Sequence, residues 1–142
     1  MQHRSRTRYA AGVLWLAAAT AALADASVVG SWQKVAHTTV FQGQTMDSHR
    51  ALLQLHPCAT KIRYEIKADG SFRLNARDAG CDEKYAQAQE KLYAKTRWKL
   101  EGNTFTTSAS NFAVGQRYTV AVAGNRMTWT GLDGQGTLVF VK

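Results

Sequence analysis

Histidines and acidic residues are the first side chains to consider for catalysis or metal binding in this chain. His37, His49 and His56 surround Asp47. At one end of a sheet, two of these histidines and Asp47 could form a metal site or an acid/base site. His49 and His56, however, are seven residues apart, which places them on opposite faces of the strand expected there. Exposed or locally hydrogen-bonded histidines are the favoured interpretation, and no metal or cofactor is predicted.

Other catalytic patterns are equally weak. Asp47, Ser48 and His49 supply the residue types of a hydrolase triad, but sequence neighbours cannot converge as nucleophile, base and orienting group. The sequence contains no phosphate-binding loop, dinucleotide fingerprint or paired-carboxylate motif. No catalytic residue is therefore predicted.

The chain contains two cysteines, Cys58 and Cys81. An even number of cysteines in an exported chain favours a disulfide bond, and this pair lacks the C-x-x-C spacing of redox enzymes. A structural disulfide between them is predicted, with redox-active or metal-bound thiols as the alternatives.

The charge is basic but dispersed. The formal net charge is +8, from 18 Lys and Arg against 10 Asp and Glu. Lys61, Arg63, Glu65 and Lys67 alternate with apolar residues, which is typical of the solvent face of a strand. Because no run of like charges occurs, no nucleic-acid partner is predicted.

The first 24 residues have the pattern of a secretory signal peptide. Arg4, Arg6 and Arg8 precede a short apolar run, and Ala22-Leu23-Ala24 is an A-x-A-type cleavage site. Residues 25–142 are predicted to be a single mature domain, either periplasmic or secreted. The apolar run is too short for a comfortable membrane span. The residue directly after the cleavage site is Asp25 rather than a cysteine that could carry a lipid, so no stable membrane anchor is predicted.

Antiparallel hairpins are the elements that must position any site. Apolar residues alternate on both sides of Gly102-Asn103 and of Gly124-Asn125. If each dipeptide is a two-residue loop, Leu100 faces Phe105, Val122 faces Met127, and the apolar side chains share one face. Closure into a barrel buries such a face and removes the sheet edges.

A third hairpin is predicted at the centre of the chain, where residues 60–67 read as a strand. A two-residue Asp69-Gly70 loop would place Phe72 opposite Lys67 and interrupt the apolar face. A three-residue loop, residues 68–70, with Gly70 in the left-handed conformation, instead places Phe72 opposite Ile66. The three-residue loop is predicted.

The remaining patterns complete an all-β fold. A first strand is expected over residues 28–37, with a possible extension to Phe41, then a polar loop over residues 43–48. A returning strand is expected over residues 49–56, in which Leu53 and Leu55 alternate before Pro57. The one predicted helix lies between Cys81 and Trp98 and is capped by Asp82. Further strands are predicted over residues 71–75, 95–101, 104–110, 116–123, 126–131 and 136–141. The expected fold is a small up-and-down antiparallel barrel of about eight strands.

A series of short motifs runs through the predicted mature chain. They are Gly30-Ser31-Trp32, Cys58, the Asp69-Gly70 turn with Phe72, Cys81, the W-x-L-x-G-N segment over residues 98–103, and the closing segment over residues 136–142. In this order they resemble the pattern of small exported bacterial lipocalin-like domain proteins. Gly30-Ser31-Trp32 is similar to the G-x-W signature of lipocalins and other calycins.

The resemblance implies an up-and-down eight-stranded barrel that binds a small apolar molecule. It also implies that a basic side chain near the last strand, Lys142 or Arg126, covers Trp32. The helix that follows the barrel in lipocalins is missing here.

The inward face predicted by the register is rich in aromatic side chains. An eight-stranded barrel has room either for its own side chains or for one small ligand beside them. Both a packed core and a ligand pocket are consistent with the sequence. The residues proposed to bind a ligand in the barrel interior are Trp32, Tyr64, Phe72, Trp98, Phe105, Tyr118 and Trp129.

The leading functional hypothesis is an exported, non-enzymatic protein that binds a small hydrophobic or amphipathic molecule at the barrel mouth. The alternative is a protein-interaction module with a packed barrel, acting through residues 42–48 or through residues 110–115, where Phe112 is expected to be exposed. A third hypothesis is an isomerase-like or cyclase-like enzyme in the barrel lumen. Its polar candidates are Tyr64, Tyr118 and Thr107, with Lys34 as an additional candidate.

Overall fold

The computed structural model describes residues 27–142. The signal peptide predicted over residues 1–24 lies outside them. The described chain forms nine β-strands, two α-helices and three short 3-10 helices. The strands are β1 (Gly30–Phe41), β2 (Gln44–Asp47), β3 (Arg63–Ile66), β4 (Phe72–Asn75), β5 (Arg97–Glu101), β6 (Thr104–Ser108), β7 (Gln116–Ala123), β8 (Arg126–Gly131) and β9 (Thr137–Val141). The α-helices are α1 (Ser48–Leu55) and α2 (Glu83–Leu92), and the 3-10 helices are Pro57–Lys61, Arg77–Ala79 and Phe112–Val114.

Eight of the strands form a nearly closed antiparallel barrel. Their order is β4-β3-β1-β9-β8-β7-β6-β5, and β2 pairs with β1 outside this path. The two end strands meet at an isolated bridge between Ser71 and Arg97. There the Phe72 N–H donates to Thr96 O at 3.0 Å, and the Trp98 N–H donates to Gly70 O at 2.9 Å. The all-β barrel predicted from the sequence is confirmed.

The register of the two glycine-asparagine hairpins follows the prediction. Leu100 pairs with Phe105, and Val122 pairs with Met127. Gly102 has a φ of 62° and Gly124 a φ of 58°, the left-handed values that these two-residue turns require. Alternation along β5 to β8 therefore places one continuous apolar face inside the barrel.

The central hairpin has the predicted three-residue loop. Ile66 pairs with Phe72, and Gly70 has a φ of 86°. Asp69 stabilises the loop, because its Oδ1 accepts hydrogen bonds from the Ser71 N–H at 2.9 Å and from the Ser71 hydroxyl at 2.6 Å. The preceding strand is shorter than predicted, since β3 begins only at Arg63.

The returning strand predicted over residues 49–56 is wrong, because this segment is the helix α1. Asp47 caps the helix, with its Oδ1 accepting from the Arg50 N–H at 2.9 Å. Leu52 and Leu53 pack against the core, and His49 is buried on the same side. The spacing of residues 49, 52, 53 and 56 is that of one helical face, so the helical stripe was the correct pattern.

The polar loop predicted over residues 43–48 is also wrong. Residues 44–47 form β2, which pairs with an extended β1. Phe41 pairs with Gln44, so the connection is a two-residue loop in which Gln42 and Gly43 have φ values of 49° and 76°. These values match the hairpin turns that have both central residues at positive φ.

The predicted disulfide between Cys58 and Cys81 is present. Cys58 lies in the first 3-10 helix, and Cys81 immediately precedes the Asp82 cap of α2. The Asp82 carboxylate accepts from the Lys84 and Tyr85 N–H groups, as a helix cap should. The helix between Cys81 and Trp98 is thus confirmed, and the disulfide ties its start to the segment that follows α1.

The two ends of the barrel differ. The turn end carries the short loops of the β3–β4, β5–β6 and β7–β8 hairpins, the start of β1 and the end of β9. The loop end carries the long connections that include α1, α2 and the third 3-10 helix. At the turn end, the Lys142 ammonium lies 4.8 Å from the centre of the Trp32 ring. Lys142 is therefore the basic residue that covers Trp32. In the described part of the chain, no helix is long and apolar enough to cross a membrane.

Candidate functional site

The barrel interior is packed at the turn end and open at the loop end. Trp32, Phe105 and Met127 are completely buried toward the turn end. From the loop end, a cavity of about 700 Å³ enters the barrel. Its wall contains residues of β1, β3, β4 and β6 to β9, together with the end of α2 and the residues after it. The interior thus combines a packed core with a pocket, the two states left open by the sequence.

Trp129 on β8 is the centre of the cavity floor. Its ring centre lies 4.6 Å from that of Phe140 and 5.1 Å from that of Tyr118. Phe105 packs at 4.8 Å and belongs to the core beneath the cavity. The buried indole N–H of Trp129 has no hydrogen-bond partner in the described chain. The floor is therefore aromatic.

Lys34 is the charged side chain buried in the cavity wall. It is opposite Phe140 in the β1–β9 pairing and only 8% exposed. Its ammonium lies 5.6 Å from the centre of the Tyr64 ring. Burial lowers the pKa of Lys34 from its ordinary value, because the charged form loses its water. Lys34 was among the lumen residues considered from the sequence, and the structure places it there.

A β-bulge brings His37 into the same wall. Between Lys34 and Ala36 the register of β1 shifts by one residue against β9, so that Val35 is extra. After the shift, His37 rather than Ala36 is opposite the inward-facing Leu138. Bulges redirect side chains in this way. The His37 Nε2 lies 2.9 Å from Gln135 O, and because a carbonyl only accepts, Nε2 is the donor.

The other two candidate histidines do not join a metal site. His49 is buried on α1, and its Nδ1 has no hydrogen-bond partner in the described chain. Burial lowers the pKa of His49; Lys34 and His37 act in the same direction, and Asp47 opposes them. His56 stacks on Tyr85 with ring centres 3.7 Å apart. Within residues 27–142, no three His, Cys, Asp or Glu side chains are grouped as metal ligands.

Two tyrosines add uncharged polar groups to the cavity. Burial raises the pKa of Tyr64 far above its ordinary value and raises the pKa of Tyr118 to about 12. Both phenols are therefore neutral at physiological pH. The Tyr118 hydroxyl donates to the Gln116 Oε1 at 2.8 Å. Neutral tyrosines offer hydrogen bonds without balancing the charge of Lys34.

The proposed ligand-binding residues divide into two groups. Tyr64, Phe72, Tyr118 and Trp129 line the cavity. Trp32, Trp98 and Phe105 lie outside its lining. The residues of the second group lie outside the cavity because they are deeper in the barrel, toward the turn end.

Each residue of that second group has another role in packing. Trp32 is at the turn end, where its indole N–H donates to Val28 O at 2.9 Å. The Trp98 ring stacks on Phe105 at 5.7 Å, and its N–H donates to Lys67 O at 2.8 Å. Strand alternation predicts which face a side chain occupies, but it does not predict its depth.

Sequence reasoning missed the wall that follows α2. Tyr93 and Thr96 line the cavity where β4 and β5 diverge. Arg73 fills this gap, because its Nη1 donates to Thr96 O at 2.6 Å and to Phe72 O at 2.9 Å. Tyr93 packs edge-on against Phe72 with ring centres 5.5 Å apart. Its position in the segment between Cys81 and Trp98, where the helix was predicted, was the available signal.

The cavity mouth has an apolar rim. Leu92 at the end of α2 is 66% exposed, and Val114 in the third 3-10 helix is 72% exposed, although both line the cavity. Phe112, expected to be exposed, is instead half-buried beneath the Lys99 ammonium at 5.2 Å. Separately, Val40, Phe41 and Met46 are exposed on the β1–β2 hairpin. That hairpin is the surface relevant to the protein-interaction alternative.

Comparison with known proteins adds no relative. No protein-family model, no curated protein and no solved structure matches this chain. The functional argument therefore depends on the geometry of the cavity.

Proposed function

We propose that this protein binds a small hydrophobic or amphipathic molecule in the loop end of its barrel. The observation that supports the proposal is the cavity of about 700 Å³, which the barrel's own side chains leave unfilled. Ligand pockets in proteins typically have volumes of about 300–1,000 Å³ and combine apolar walls with a few polar groups. This cavity has both properties.

The distribution of side chains favours an apolar ligand body. Phe72, Trp129 and Phe140 form the deep surface, and Leu92 and Val114 form the rim. An apolar molecule entering from the loop end would contact apolar side chains at the mouth and at the floor. The Tyr64 hydroxyl can orient a polar group, and the Tyr118 hydroxyl, which already donates to Gln116, can accept a hydrogen bond from one.

The lipocalin-like assignment and the export of the chain belong to the same proposal. The nearly closed eight-stranded barrel and the Lys142 side chain over Trp32 are consistent with a lipocalin-like domain. The Cys58–Cys81 disulfide is consistent with an oxidising compartment such as the periplasm or the extracellular space.

Binding of a neutral fluorescent probe, N-phenylnaphthylamine, tests the proposal. Thr107 on β6 lines the cavity, so Thr107→Phe fills part of it and should weaken binding by at least about tenfold, or about 1.4 kcal/mol. Thr130 on β8 has the opposite orientation and is exposed, so Thr130→Phe is the matched control and should bind like wild type. Fluorescence titration measures both affinities.

Two results would contradict the proposal. One is no binding of the probe by correctly folded wild-type protein. The other is equal weakening by both substitutions, because that would place the bound probe outside the cavity.

A further inference from the structure

We propose that Lys34 anchors the acid group of the ligand, so that the cavity selects apolar molecules that carry a carboxylate. This inference depends on the proposed binding function and specifies its ligand class. The ligand would place its hydrocarbon body against the aromatic floor and its carboxylate beside the Lys34 ammonium.

The first argument is the missing counter-charge of Lys34. An ammonium group removed from water is normally paired with an acid or neutralised. None of the three ion pairs in residues 27–142 includes Lys34. The cavity lining contains no aspartate or glutamate. A ligand carboxylate would supply the partner that the described chain lacks.

The second argument is the unused donor capacity of Lys34 itself. The Lys34 ammonium can donate three hydrogen bonds, and within residues 27–142 no hydrogen bond or ion pair involves it. His37 donates through Nε2 to the chain, and Tyr64 is neutral. The free donors of the Lys34 ammonium therefore favour a ligand that accepts hydrogen bonds over one that only donates them. A carboxylate accepts through two oxygens and carries the compensating charge.

On the elements packed around Lys34, no acid of the described chain lies against its ammonium. His37 on β1 and His49 on α1 are the nearby titratable bases, and Tyr64 on β3 is the nearby phenol. Asp47 is the one acid that influences His49, but it is exposed and caps α1 through the Arg50 N–H. Burial also lowers the pKa of Lys34, which a bound carboxylate would reverse.

Competition between decanoic acid and decanol for the bound probe provides the test. Both have the same hydrocarbon chain, and near pH 7 the acid is ionised. Wild-type protein should bind decanoate at least about tenfold more tightly than decanol. Lys34→Met keeps a similar side-chain volume without the charge, so it should weaken decanoate binding at least about tenfold more than decanol binding and thereby remove this preference. Lys61 is exposed on the first 3-10 helix, and Lys61→Met is the control that should keep the preference.

The outcomes separate this inference from the general function. Equal affinities of wild-type protein for decanoate and decanol would overturn the role of Lys34 while leaving the cavity function intact. A Lys34→Met protein that keeps the acid preference would also overturn it. If neither the probe nor either decyl compound binds, the proposed function and this inference both fail. The wild-type comparison needs no variant, so a folding defect in Lys34→Met would not prevent the test.

Discussion

The buried ammonium of Lys34 affects stability as well as ligand choice. A base whose pKa is lower in the folded protein than in the unfolded chain is harder to protonate when the protein is folded. It therefore destabilises the fold at any pH where the unfolded chain is protonated. For Lys34 this penalty is complete below its folded pKa. It disappears as pH rises through the unfolded value of 10.5, because the lysine is then neutral in both states.

Lys34→Met should therefore stabilise the ligand-free protein. Replacing even a buried ion pair by apolar residues of similar volume is often neutral or stabilising by about 1–4 kcal/mol, and the Lys34 ammonium has no paired acid to lose. We expect the advantage to be largest near neutral pH and to shrink as pH approaches 10.5. Urea unfolding of wild-type and Lys34→Met protein between neutral pH and pH 10.5 measures the difference in their free energies of unfolding. The titration of unrelated groups largely cancels in this difference. A less stable variant, or a constant advantage at all pH values, would contradict this account.

The side chains of the site were predictable only where regular alternation holds. Lys34 is two residues after Trp32, and simple alternation places both inside the barrel. His37 should then face outward, but the extra residue at Val35 reverses its direction. A bulge depends on how two distant strands pair, and neither strand's own sequence shows it.

Among the elements, the connection between β8 and β9 depends on two glycines with almost the same backbone. Gly134 and Gly136 have φ values of 85° and 84°. A Cβ at Gly134 would contact nothing within 4 Å, whereas a Cβ at Gly136 would collide with the Thr38 carbonyl oxygen of β1. The backbone of β1 cannot move aside as a flexible side chain could. Both positions would therefore be strained by the left-handed φ, and only Gly136 would add a steric collision with β1.

Alanine substitution at the two glycines should separate these effects. Gly134→Ala should cost about 1 kcal/mol, from the left-handed φ alone. Gly136→Ala adds the collision with Thr38, so its cost should rise to about 3 kcal/mol. Denaturant unfolding gives both values. Equal losses at the two positions would show that the contact with β1 relaxes freely.

The elements also show why α1 was mistaken for a strand. Leu53 and Leu55 fit strand alternation, while residues 49, 52, 53 and 56 fit one helical face. The segment is so short that it fits both patterns, so periodicity alone does not distinguish a helix from a strand here. The Asp47 cap and the packing of Leu52 against the core decide for the helix. Leu55 is 78% exposed, which removes the basis of the strand interpretation.

At the scale of the whole molecule, the barrel was predictable because hairpin register is a local property. Turn length and glycine position determined which residues face each other at Leu100, Val122 and Ile66. The cavity was not predictable in this way. Its volume depends on where β4 and β5 diverge and on how Tyr93 and Arg73 occupy that gap. Those contacts join segments far apart in sequence.

The disulfide bond also affects the part of the cavity wall that is formed by the end of α2. It joins the segment after α1 to the start of α2, neither of which is part of the barrel's hydrogen-bonded sheet. Leu92 and Tyr93 at the end of α2 line the cavity. The chain-entropy model assigns about 3 kcal/mol to a closed loop of this length, since the cysteines are 23 residues apart.

Replacing both cysteines by alanine should therefore have two separable effects. The free energy of unfolding should fall by about 3 kcal/mol, and amide exchange should increase more in α2 than in β7 and β8. Probe affinity should also fall, because a looser α2 orders one wall of the cavity less well. An unchanged affinity in the less stable variant would mean that Arg73 and the sheet hold Tyr93 in place without the disulfide. In that case the loop end would be shaped by the barrel alone, and the covalent link would serve stability only.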